Sequence, residues 1–252
     1  MHYCHVLLLT TLMLLVSADS TASTALRLNS SDRRALRVTN ENHIEERAGL
    51  GSKLTDLITK FSSKERQAVR FADAQKTDEF VLEAFKLKGL TGVRLKLDKN
   101  YKYFEQFQKV KESNQITAWI KAETPTSAVW RTSGFGNVRT IDDILAVEPT
   151  EAFQLYTRFL IQYDDAMTAK ALRTNTPIPV ISDDLTWAEK TVSVATWVGA
   201  DRSRAFAKAA LGLDNLTPAE MVKAKNFEFY YSFLHLRMKK FDRQGLITDE
   251  VL

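Results

Sequence analysis

Residue types that carry catalysis are sparse in this chain, and their spacing builds no familiar site. Cys4 is the sole cysteine, so a thiol nucleophile or a cysteine metal site has one candidate at the extreme N-terminus. Of the four histidines, His2 and His5 stand in the first five residues, His43 follows a polar stretch and His235 lies in YYSFLHLRMKK. A His-based triad needs an ordered base beside a nucleophile, and His235 is the one histidine in a segment of helical period. The pairs Asp142-Asp143, Asp164-Asp165 and Asp183-Asp184 have the residue type for two-carboxylate acid–base work. Each falls at a predicted helix end or linker, where Asp caps helices. No HExxH, GxxxxGK[ST], GxGxxG or GxSxG occurs. The sequence therefore predicts no catalytic residue, no cofactor and no metal site.

Basic side chains are the next candidates. Lys223 with Lys225, and Arg237, Lys239, Lys240 with Arg243, have the composition of a nucleic-acid patch or nuclear signal. The second group sits at a predicted helix end, where cations suit the negative pole. Over the whole chain 35 basic and 31 acidic residues give a net charge of +4, too balanced for a protein that grips nucleic acid by charge. No nucleic-acid partner is expected.

The elements that hold these residues are predicted to be helices. The chain has 9 Gly and 5 Pro in 252 residues, well below the usual roughly 7% and 5%, so turn-makers are scarce. Capping boxes, or their Asp variant, stand at Ser62-Ser63-Lys64-Glu65, Thr140-Ile141-Asp142-Asp143, Thr186-Trp187-Ala188-Glu189 and Thr217-Pro218-Ala219-Glu220. Gly89, after FVLEAFKLK, has the freedom to make a left-handed C-terminal cap. No comparable stretch alternates at period two. The expected fold class is all-α.

The N-terminal part differs. Val6 to Val16 is an apolar run followed by Ser17-Ala18-Asp19, too short to span a bilayer, which takes about 20 residues, and in the form of a secretory signal peptide. Cleavage is expected after Ala18, or else after Ala22, and would remove Cys4. No later run is long and apolar enough for a transmembrane anchor. Residues 19–59 are rich in Ser, Thr, Asn and balanced charge and read as a disordered linker. Asn29-Ser30-Ser31 and Asn215-Leu216-Thr217 match the N-glycosylation pattern.

An internal repeat follows. Leu87, Leu90, Thr91, Leu95 and Asn100 align without gaps on Leu213, Leu216, Thr217, Met221 and Asn226, and Tyr101, Tyr103, Phe104 and Phe107 on Phe227, Phe229, Tyr230 and Phe233. Spacings of three and six put these rings along one helix face. A weaker middle copy holds Phe153, Tyr156, Phe159 and Tyr163, after Trp119 and Trp130; Trp187 and Trp197 precede the last. Such stripes are core in most proteins, burying large area and fixing ring geometry.

Within the linker stands Arg34-Ala35-Leu36-Arg37, and eight residues on Glu45-Glu46-Arg47. A signal peptide, an RxLR string in polar chain and then EER resembles the oomycete RxLR–dEER effectors, secreted by plant pathogens and delivered into host cells. Ile44 stands where the fuller motif has an acid. Trp on one helix with Tyr on a later one, about 40–45 residues on, resembles the WY modules of the same effectors, whose two rings pack in a small helical bundle.

The resemblance implies a signal peptide (1–18), a translocation or processing segment (19–59) and three WY-like units (60–112, 113–172, 173–252), with Pro177 and Pro179 at the last joint. The first unit has no Trp, so Phe71 or Phe80 fills that role. The implied core is Trp119, Trp130, Tyr156, Trp187, Trp197, Phe104, Phe107, Tyr230 and Phe233. The implied function is a virulence effector that binds plant host proteins in the cytoplasm or nucleus and suppresses or reprogrammes immunity. An effector with an unrecognised enzymatic activity and a protein acting outside host cells are the alternatives.

Overall fold

The structure, a computed structural model, describes residues 63–243. The expected signal peptide and linker, the RALR and EER strings and the expected Ser62 cap lie outside the described residues. Among the described residues there are eleven α-helices and one π-turn, and no strand. The chain divides into two compact units, with the boundary between Trp119 and Ile120.

The first unit holds α1 (Ser63–Asp73), α2 (Asp78–Ala84), α3 (Gly92–Leu97) and α4 (Tyr101–Lys121), the last of which ends at the boundary. Ala68, Ala72, Val81, Phe85, Leu87, Phe104 and Phe107 form its core. The helix read from FVLEAFKLK stops earlier than Gly89. Phe85 is its C-cap and Lys86 takes the left-handed turn at φ 61°, because Phe85 and Leu87 must both enter the core. Gly89 takes φ 82° in the following turn instead.

The second unit holds α5 (Thr126–Trp130), a π-turn (Arg131–Phe135), α6 (Ile141–Val147), α7 (Glu151–Thr174), α8 (Trp187–Gly199), α9 (Arg204–Ala210), α10 (Pro218–Met221) and α11 (Phe227–Arg243). Three predicted boxes cap α6, α8 and α10, through Thr140–Asp143, Thr186–Glu189 and Thr217–Glu220. Gly134, at φ 90°, breaks the π-turn where a side chain would be strained. Within the second unit α8 packs against both α7 and α11. The Pro177–Pro179 stretch joins helices of one core, with Asn175 closing α7 in the left-handed conformation.

The repeat runs deeper than its aromatic stripe. At an offset of 126 positions, that from Leu87 to Leu213, α2 and α9 coincide end to end, and α4 and α11 start together. Thr77 and Ser203 cap α2 and α9 by accepting from the amides of Phe80 and Phe206. Gln75 and Asp201 turn left-handed at φ 50° and 54°, and Lys86 and Gly212 at 61° and 69°. The amides of Leu87 and Leu213 donate to the carbonyls of Leu82 and Lys208, at 2.7 and 2.8 Å. Two copies of one backbone motif thus lie in different compact units.

Ring contacts obey the same register. Phe71 meets Phe80 edge-on at 5.2 Å and 87°; Trp197 meets Phe206 at 5.5 Å and 86°. Phe71 therefore stands where the second copy has tryptophan, and Phe80 corresponds to Phe206. Lys76 and Arg202 each lie 5.2 Å over the second ring of their pair.

Candidate functional site

The buried polar groups of the second unit are its strongest electrostatic feature. Asp164 lies inside α7, not at a helix end as its sequence suggested, because α7 continues through Thr174. Its carboxylate accepts the Trp197 indole N–H at 2.8 Å, tying α7 to α8. Burial pushes the Asp164 carboxyl up to about 7, against the lowering effect of the Trp197 bond and the Arg202 charge. Arg202 reaches the same stretch of α7, bonding Asp165 at 2.6 Å and the Ile161 carbonyl at 3.0 Å. Nearby, the Tyr156 hydroxyl is buried without a hydrogen-bond partner. Burial and the charges of Glu189 and Asp164 hold it in its neutral form.

A second buried group recurs in the repeat. Lys190 of α8 is 4% exposed and donates to Asn226 Oδ1 at 3.3 Å. Asn226 Nδ2 donates to the Leu211 carbonyl at 3.1 Å. In the first copy, Lys64 donates to Asn100 at 3.0 Å on the exposed surface. Each lysine lies over a ring on the third helix after its own, Tyr103 of α4 at 5.4 Å and Phe229 of α11 at 5.7 Å.

These arrangements position helices. His235 is half-buried, and burial and Lys239 lower its pKa; its Nε2 has no hydrogen-bond partner among the described residues. Asp143 is occupied by the amides of Arg139 and Thr140, and Asp183 by Lys225 and Lys190. No group of three or more His, Cys, Asp or Glu side chains has metal-site geometry among the described residues. A cleft in the first unit is bordered by Asp78 and Lys111, an ion pair at 2.6 Å joined by Gln108. The basic residues of α11 are largely employed too. Lys240 donates to the Val198 and Gly199 carbonyls and pairs with Asp201, offsetting the negative pole of α8. Arg237 donates to the Arg202 carbonyl.

The aromatic residues singled out in the sequence take different places. Phe104, Phe107, Trp130, Tyr156, Trp197, Tyr230 and Phe233 are buried. Trp130 and Tyr156 meet at 5.0 Å and 62°, with Phe135 against both. They stand 26 positions apart (130 to 156), closer than the 40–45 expected of such a pair. Trp187 departs from the expected core: it is 37% exposed, because it opens α8 one residue after the Thr186 cap. Trp119 is half-buried near the end of α4. Arg34, Ala35, Leu36, Arg37, Glu45, Glu46 and Arg47 lie outside the described residues. Sequence reasoning missed the Asp164–Trp197 and Lys190–Asn226 links. The available signal was an acid and a lysine set within otherwise apolar helical stripes.

No family model matches the chain, and no solved structure does. Two proteins of Phytophthora infestans (strain T30-4) do. One, a secreted RxLR effector protein, is 22% identical over 232 residues, covering 92% of this chain and 94% of the relative. The chain is a homologue of RxLR effectors. The other, RxLR effector protein Avr1, is 28% identical over 109 residues, 43% of this chain and 47% of the relative. The similarity to the first RxLR effector runs nearly end to end, so it spans both compact units. No helix among the described residues is long and apolar enough to cross a membrane.

Proposed function

We propose that this RxLR effector homologue is secreted, enters plant host cells and binds host proteins there to suppress or reprogramme immunity. The observation that carries the reading is the alignment with a secreted RxLR effector over 92% of the chain. The burial of the repeated rings supports a binding role, because core residues committed to packing leave target choice to the surface. In this reading Arg34, Leu36, Arg37 and the Glu45-Glu46-Arg47 string govern delivery or N-terminal processing, and residues 63–243 form the binding body. Trp130 with Tyr156, and Trp197 with the Tyr230–Phe233 helix, are WY-like cores.

The test is expression of residues 19–252 inside plant cells. Immune output should fall, and purification of the tagged chain should recover a host protein that a Phe107→Ala/Phe233→Ala variant fails to retain. Unchanged immune output together with no recovered host protein would overturn the proposal. An activity screen on the same material checks for enzymatic turnover.

A further inference from the structure

The two copies of the repeat differ most in what covers their first helix. In the second unit α7 packs along α8, with Asp164 and Asp165 holding Trp197 and Arg202. Residues 188–199 of α8 are all buried. In α1, which corresponds to the latter part of α8 in the repeat register, only Ala68 and Ala72 are buried. Ser63, Gln67 and Arg70 share one side of α1; they are exposed and border a cleft. Next to this stripe, Phe71 is half-buried where Trp197 is 4% exposed. Phe80 is 46% exposed, whereas its equivalent Phe206 is half-buried. Lys76, over the Phe80 ring, is exposed; its equivalent Arg202 is tied to α7. Among the described residues no carboxylate pairs with Arg70 or Lys76.

We propose that this face of α1 and α2 receives an amphipathic helix of a host protein, whose apolar side covers Phe71 and Phe80 and whose carboxylates meet Lys76 and Arg70. The inference rests on the host-binding reading and names the partner's chemistry. The template is internal: α7 supplies apolar side chains and paired carboxylates to the same backbone motif in the second unit. An amphipathic helix laid into a groove is a common mode of recognition, and the free cations on this face select an acidic one. The chain's own sequence is the weaker fit. At the repeat offset α7 corresponds to residues 25–48, where Val38 and Thr39 stand in the places of Asp164 and Asp165, so the two carboxylates are not supplied there.

The test uses the chain in its secreted form and, as the probe helix, a fluorescent peptide of α7, residues 151–174. The peptide should bind, and its Asp164→Asn/Asp165→Asn form should bind at least about fivefold more weakly. In the chain, Lys76→Glu should weaken binding at least about tenfold and Phe80→Ala about fivefold. Neither side chain belongs to the core, so melting temperatures should hold, and Lys223→Glu should bind as the wild type does. In plant cells, both variants should lose the host protein that the wild type recovers. No peptide binding, or wild-type binding by either variant, would overturn the proposal. Tighter binding of a peptide of residues 25–48 would do so by making the chain's own segment the occupant. A dimer abolished by Phe80→Ala would do so by making it a second copy. A host protein recovered equally by the wild type and both variants would overturn the docking site and leave the host-binding reading standing. A wild-type chain that recovers no host protein would overturn both.

Discussion

Asp164 places a titratable carboxyl between two helices, and its linkage has a definite sign. An unfolded aspartate titrates near 3.9; in the fold Asp164 does so at about 7. Between these values the folded chain holds a proton that the unfolded chain has lost. Its contribution to stability is therefore full below about pH 4 and declines as pH rises through 7, with a slope of at most about 1.4 kcal/mol per unit. His235 acts in the opposite sense: its pKa is lowered from 6.5 by burial and Lys239, so its contribution is lost as pH falls below 6.5. Asp164→Asn keeps an oxygen for the Trp197 indole and removes the titration. Thermal melts from pH 5 to 8 should show a smaller decline for Asp164→Asn than for the wild type. Parallel curves would show that Asp164 is ionised throughout. The aromatic core gives a second residue-scale expectation. Phe107 and Phe233 are fully buried at equivalent repeat positions, so each change to Ala should cost roughly 3–5 kcal/mol. Calorimetry of the two variants checks this, and an unshifted melting temperature for either would place its ring outside a packed core.

Among elements, the two copies of the repeat differ in how far they bury one polar contact. Asn226→Ala would leave the Lys190 ammonium with Asp183, which lies 3.8 Å away and is largely exposed. Removing the partner of a buried charge costs roughly 3 kcal/mol or more. Asn100→Ala takes the same partner from the exposed Lys64 and should cost less than about 1 kcal/mol. Urea denaturation of the two variants should show that disparity, and equal losses would remove burial as its cause. Helix starts at Thr140, Thr186 and Thr217 were legible because a cap hydroxyl and an acid three residues on solve a local problem. The aromatic stripe was legible because its spacing matches the helix period. Trp187 was not: at the first position of α8, period alone does not say whether a ring turns inward. The length of α7 was missed because Asp164-Asp165 has the composition of a helix end, and only Trp197 and Arg202, more than 30 residues on, supply the partners that keep it inside. Lys86 in a left-handed turn was hidden by the nearby glycine, the residue that ordinarily takes that conformation.

Across the whole molecule, delivery and folding are expected to be separable. The candidate delivery motif lies N-terminal to every core residue in the helical units. Arg34→Ala/Leu36→Ala/Arg37→Ala should therefore keep the wild-type melting temperature and circular dichroism while host-cell accumulation or N-terminal processing during infection is lost. Normal accumulation and processing would sink the assignment of the motif. The shared register also has a genetic consequence. An in-frame crossover between equivalent points of the two copies would join a cap to its own kind of helix and a left-handed turn to its own kind of strand-free loop. Unequal recombination can thus shorten or lengthen the gene in steps of one repeat period while every junction keeps a backbone geometry that the chain already uses.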